Sequence, residues 1–188
     1  MLDLFKRDLP SSVEVEGRSY PVHTDFRFWI NYVNVIQDAQ FKKATSLDLL
    51  DCAHSLFIKA PQNMEEALPA LNTFLNPPCS VPRSTGHESS ELIVDYRIDS
   101  DYIYAAFMEQ YHIDLLTADM HWHVFQALLK ALHDTELNKI ISYRCYNPND
   151  KTKYEESMKR LKEAWRLEQP SDEETQKDLD KFNSLFEK

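Results

Sequence analysis

Four side chains in the middle of the chain could hold a metal ion: His112, Asp119, His121 and His123. Imidazole nitrogens and carboxylate oxygens are ligands of zinc and its neighbours, and such a site would activate water for hydrolysis. The spacing suits it poorly. Within a helix, positions two apart do not share a face, so the rings of His121 and His123 are expected to diverge. Asp119 and His123, four apart, would share a face, with His112 as a third ligand. The alternative use of the triplet is structural: His121 or Trp122, each with an apolar body and a polar tip, fixes the start of a helix. Asp99 and Asp101 offer paired carboxylates, but general acid–base work needs two carboxyls at a defined gap with shifted pKa values. So close to a helix start they read as caps. No Ser, Cys or His stands in a local nucleophile signature. The chain's two glycines, Gly17 and Gly86, cannot supply a Walker loop or a GxGxxG turn. No catalytic residue, metal or cofactor is expected.

What remains is binding. Seven large aromatics lie between Tyr96 and Phe125: Tyr96, Tyr102, Tyr104, Phe107, Tyr111, Trp122 and Phe125. Aromatics most often fill cores, yet Tyr and Trp are enriched at protein interfaces. The candidate partner-contact residues are Asp101, Tyr102, Tyr104, Tyr111, His121 and Trp122, joined by Trp165 and Phe182 near the C-terminal end. The formal charge of −10 concentrates in the same region, with eight acids against Arg97 alone from Glu88 to Asp119. Nucleic-acid binding relies on Lys and Arg neutralising phosphates, so that partner class is not expected. A basic protein would suit the field, although acids on a solvated face and at helix starts are the commoner origin of such a cluster.

The elements that must position these residues are helical. At 188 residues the chain suits one domain, and its glycine content is far below the usual ~7% that tight β-turns demand. No uncharged apolar run approaches the ~18 residues that span a bilayer, so no membrane partner is expected. The opening MLDLFKRDLP lacks the apolar run of a signal peptide. Cys52, Cys79 and Cys145 are odd in number and form no CxxC pair, which fits a reducing compartment. A cytoplasmic location follows as the expectation.

In chain order, residues 10–23 read as a small edge hairpin turning at Gly17, with Val13 and Val15 on its inner face. Thr24 or Asp25 caps a helix to about Phe41 with Phe26, Trp29, Ile30, Val33 and Ile36 in one stripe. Ser46 caps a second carrying Leu47, Leu50, His54 and Phe57. A third stripe holds Met64, Leu68, Leu71 and Leu75, kinked or restarted at Pro69. Residues 77–90, rich in Pro and Ser, form a loop between two helical subsets. Asp99 or Ser100 caps a helix with Ile103, Tyr104, Phe107, Met108 and Tyr111 inward. Thr117 caps the next, which buries a set drawn from Met120, His121, Val124, Phe125, Leu128, Leu129 and Leu132. Another spans about Asp134 to Cys145, with Leu137, Ile140 and Ile141 inward. After a break at 147–149, Tyr154, Met158, Leu161 and Trp165 make the seam of a docking helix, and Leu179, Phe182, Leu185 and Phe186 a last amphipathic one. The expected organisation is a mainly α, multi-helix bundle-like domain with an N-terminal β-hairpin over residues 1–146, followed by C-terminal amphipathic helices over 147–188.

DSDYIYAAFMEQYHIDL, DMHWHVFQALLKAL and TELNKIISYR together resemble a family of tailed-phage and prophage proteins, the bacteriophage Gp-fifteen family. The matching positions are Asp101, Ile103 to Phe107, Ile113 to Leu115, His121, Trp122, Phe125, Ile140, Ile141 and Arg144. The hairpin and the TDFRFWI stretch that follows also resemble the family's start, so the likeness covers about residues 8–146. The resemblance implies a non-enzymatic tail assembly chaperone, with the tape measure protein as partner and the tail tube protein as a second. It leaves room for a homo-oligomer. A structural minor tail or connector protein is the alternative, and a metal-dependent enzyme a more distant one. The resemblance brings no catalytic residues with it.

Overall fold

The computed structural model describes residues 8–41, 43–76, 92–147 and 154–167. Over these the chain is mainly helical, with a two-stranded antiparallel hairpin and seven helices. The loop expected at 77–90, the break at 148–149, and the final helix with Phe182 lie outside the described residues. Two compact units are present. Of the described residues, one unit gathers 8–76 with 119–127, and the other gathers 92–118 with 128–167.

The first unit opens with β1 (Ser12–Val15) and β2 (Arg18–Pro21), paired Ser12 to Pro21 through Val15 to Arg18. Glu16 and Gly17 join them with φ of 50° and 72°. Positive φ at both central positions matches the twist of the strands, and glycine takes it without a Cβ penalty. Val13 and Val15 are buried, and β1 packs on α3. Helix α1 (Phe26–Gln40) is capped by Asp25, which accepts from the Arg27 N–H. Of its expected stripe Phe26 and Trp29 are buried, but Ile30, Val33 and Ile36 are half-buried, and Tyr32 and Gln37 are buried instead.

Helix α2 (Ser46–Ser55) is held by a capping box in which Thr45 and Asp48 satisfy each other's backbone N–H. Its inner residues are Leu49, Ala53, Leu56 and Phe57, whereas Leu47 is 71% exposed. Two apolar stripes at helical spacing compete on this segment. Packing between α1 and α3 selects the one that periodicity did not favour. Helix α3 (Met64–Leu75) runs unbroken through Pro69. Pro69 lacks the N–H that would reach the carbonyl of Glu65, an exposed residue whose carbonyl water can satisfy.

The second unit holds α4 (Ser100–Tyr111), α6 (Glu136–Arg144) and α7 (Glu155–Ala164), with α6 against both α4 and α7. His112 ends α4 in the left-handed conformation, φ 53°, donating its N–H to the Met108 carbonyl. Asp114 then organises a turn, accepting from the Leu116 N–H at 2.9 Å and the Thr117 hydroxyl at 3.2 Å. Thr117 therefore belongs to this turn and does not cap α5 (Trp122–Ala131). The first six residues of α5 lie in the first unit and its last four in the second. Thr135 and Asn138 form the capping box that starts α6. Among the described residues no helix is long and apolar enough to cross a membrane.

Candidate partner interface

The HWH triplet is structural. His121 precedes α5 and stands in the capping position. Its Nδ1 accepts from the His123 N–H at 3.0 Å, so its Nε2 must carry the proton donated to the Pro10 carbonyl at 2.8 Å. Burial lowers the His121 pKa, partly opposed by the Pro10 carbonyl, which favours the neutral ring that this bonding needs. Because His121 lies outside the helix, its ring does not diverge from that of His123, and their centroids are 5.0 Å apart. His123 is buried and donates from Nε2 to the Phe74 carbonyl at 2.8 Å. His112 ends α4 through its backbone, and both His112 and Asp119 are exposed. Among the described residues no three His, Cys, Asp or Glu side chains group to hold a metal ion.

Trp122, a candidate for partner contact, is 1% exposed. Its indole N–H donates to the Leu75 carbonyl at 3.0 Å, and its ring stacks on Trp29 and Phe125. It is a core residue: in the first turn of α5 it points the way Phe125 does, three positions on. Tyr111 is half-buried, its hydroxyl donating to the Leu128 carbonyl at 2.9 Å and its ring edge-on to Phe107.

The remaining candidates gather on α4. The buried face of this helix carries Ile103, Ala106 and Phe107. Its other side carries Asp101, Tyr102, Ala105, Met108 and Glu109, all exposed but for the half-buried Tyr102. Ile98, one turn before Tyr102, is 61% exposed. Residues three and four apart stack along a helix, so Tyr102, Ala105 and Met108 form one apolar line with Asp101 and Glu109 beside it, and the exposed Ile98 precedes it in the turn that leads into α4. Tyr102 meets Trp165, at the C-terminal end of α7, edge to face with centroids 5.8 Å apart. Tyr104 flanks the line, its hydroxyl hydrogen-bonded to the Asp114 carboxylate; desolvation and then that charge raise its pKa. Helix α4 is thus apolar on two sides; among the described residues one is covered, and the other meets only Trp165 at its Tyr102 end. Met108, expected inward, is 38% exposed, with Ala106 taking the inner place.

A residue pair that sequence reasoning did not connect sets this orientation. Asp99, fully buried at the N-cap of α4, makes no capping bond. It receives the Arg144 guanidinium in a bidentate fork at 2.7 and 2.9 Å. Arg144 also donates to the carbonyls of Ile93 and Trp165, each at 2.8 Å. Asp99 in turn accepts the Asp95 N–H at 3.0 Å. Burial pushes the Asp95 carboxyl up, but the N–H groups of Ile98 and Arg97, with the Arg97 side chain, outweigh it and the net pKa is lowered. One guanidinium thereby ties the lead-in to α4, α4 itself, α6 and the end of α7. The signal available in the sequence was Arg144 closing the Ile140, Ile141 motif of α6.

The chain can therefore offer apolar contact and carboxylates on one helix face, held on a charged internal keystone. A family model described as Bacteriophage Gp15 protein matches residues 5–167. No curated protein and no solved structure matches the chain.

Proposed function

The chain belongs to the bacteriophage Gp15 protein family, and from that premise we propose that it is a non-enzymatic chaperone of long-tail assembly that binds the tape measure protein. The observation that carries this reading is the apolar line on α4, flanked by acids and exposed among the described residues. A tape measure chain is long and helical, with apolar stripes exposed until the tube surrounds it. A chaperone has to cover such stripes and release them. Helical faces of modest area, used in many copies, serve that purpose. The acidic field keeps the complex soluble and attracts basic segments. The tail tube protein is a second partner on this reading, and the host cytoplasm the place of action.

Co-expression tests it. The tape measure protein is expected in the soluble fraction with this chain and in the pellet without it; equal solubility in both overturns the proposal. The same face would also suit a permanent neighbour, so a structural minor tail or connector protein is the second reading. Mass spectrometry of purified particles separates the two, since a chaperone is absent from the finished particle and a connector is present in fixed copy number.

A further inference from the structure

We propose that the outer face of α4 docks one amphipathic helix whose apolar stripe is flanked by Lys and Arg; this rests on the partner-binding reading above and specifies the chemistry of the partner. The apolar line from Tyr102 through Ala105 to Met108 follows the spacing by which one helix lies along another, and the exposed Ile98 stands in the turn just before it. Trp165 closes it at the Tyr102 end. The acids Asp101 and Glu109 stand beside the line, and Asp114 lies next to Tyr104 on its flank. Helix α4 contains no base. Arg97, next to Ile98, is engaged by Asp95, and Lys139 of α6, within the field of Glu109, is bridged to Glu136 at 2.8 Å.

Charge decides among the occupants. The chain's own residues 168–188 carry apolar Leu179, Phe182, Leu185 and Phe186 but also seven acids against three bases. Laid on α4 they would set carboxylate against carboxylate. A second copy using the same face would bring Asp101 and Glu109 against themselves. A helix with flanking Lys and Arg gains apolar burial and opposite charge together.

The probe is a synthetic helical peptide of about 18 residues, with Leu at three- and four-residue steps and Lys and Arg beside them, enough to span α4. Its counterpart has every Lys and Arg replaced by Glu. Fluorescence anisotropy is expected to show the basic peptide binding at least about tenfold tighter than the acidic one, with affinity falling as salt rises. Two double variants separate the terms. Ala105→Gln with Met108→Gln removes apolar surface and leaves charge, whereas Asp101→Asn with Glu109→Gln does the reverse. Each is expected to weaken binding at least about tenfold with unchanged circular dichroism and thermal midpoint, since all four positions are exposed. Equal affinity for the two peptides, or no loss in either variant, overturns the proposal. So does a dimer in sedimentation that the Met108 variant abolishes, because the face then belongs to a second copy. Pull-down of the tape measure protein separates this inference from the broader reading. Equal retrieval by wild type and both variants removes the α4 face and leaves the chaperone role. Loss of peptide binding in the variants, with no tape measure protein retrieved by wild type, leaves the face and removes the role.

Discussion

Arg144 is the single side chain on which most of the second unit's polar order depends. Its fork with Asp99 is nearly water-free, with side chains 5% and 1% exposed. Breaking a buried pair on one side strands a charge, so Asp99→Ala or Arg144→Ala is expected to cost about 3–5 kcal/mol in chemical denaturation. The double variant Asp99→Leu, Arg144→Met should lose much less than the sum of the two single changes, which a double-mutant cycle reads directly. Tyr32 is the opposite case. It is fully buried, its hydroxyl has no hydrogen-bond partner among the described residues, and burial followed by nearby Cys52 raises its pKa. Removing an unsatisfied buried hydroxyl should help, so Tyr32→Phe is expected to stabilise by about 1 kcal/mol, and a lower thermal midpoint would contradict this. His121 gives the chain a pH dependence. Its pKa is lowered from the ordinary 6.5, so the unfolded chain takes up its proton first on acidification. The stability it contributes is complete above 6.5 and is lost as pH falls through the folded value. Protonating Nδ1 also ends its acceptance of the His123 N–H. His121→Asn keeps a capping acceptor without a titrating ring, and should flatten the fall in thermal midpoint between about pH 7 and pH 5.

At the scale of elements, helix starts were readable, the capping residues only in part, and the faces not. Asp25 was legible because a short polar side chain before an apolar run has one economical use, whereas on α2 the cap expected at Ser46 is Thr45, one residue earlier. The inner faces of α2 and α4 were ambiguous because both helices are apolar on more than one side. On α2 the exposed Leu47 and the buried Leu49 are the same residue type two positions apart. On α4 the buried Asp99 makes the choice: once its carboxylate must reach Arg144, Ile103, Ala106 and Phe107 turn inward and Met108 turns out. The same arginine reaches past its own helix to the Trp165 carbonyl, so α7 is part of what satisfies it. A chain ending at residue 146 is therefore expected to lose about 2 kcal/mol relative to one ending at 167. At this size that is about 4–8 °C in thermal midpoint; equal midpoints would show that α7 adds nothing to the fold.

At the scale of the whole molecule the acidic charge acquires a location. Five of the eight acids from Glu88 to Asp119 divide by role. Asp99 is an internal ion-pair partner, Asp95 and Asp114 organise turns, and Asp101 and Glu109 remain on the outer face of α4. The field is therefore partly structural, with a residue of outward-facing carboxylates where the apolar line is exposed among the described residues.

The amino-acid sequence by itself determined the helical class, the hairpin at Gly17, most helix starts and the family, because these follow from local propensity, capping chemistry and motif spacing. It also placed the aromatics that build the core, though without saying which of them, like Trp122, would be wholly enclosed. Tertiary structure alone decided which side of α2 and α4 faces inward, that the His121 ring also reaches the Pro10 carbonyl, and that Asp99 and Arg144 meet across 45 positions. Each of those outcomes depends on a partner distant in sequence, and neither periodicity nor local hydrogen bonding carries information about where that partner will stand.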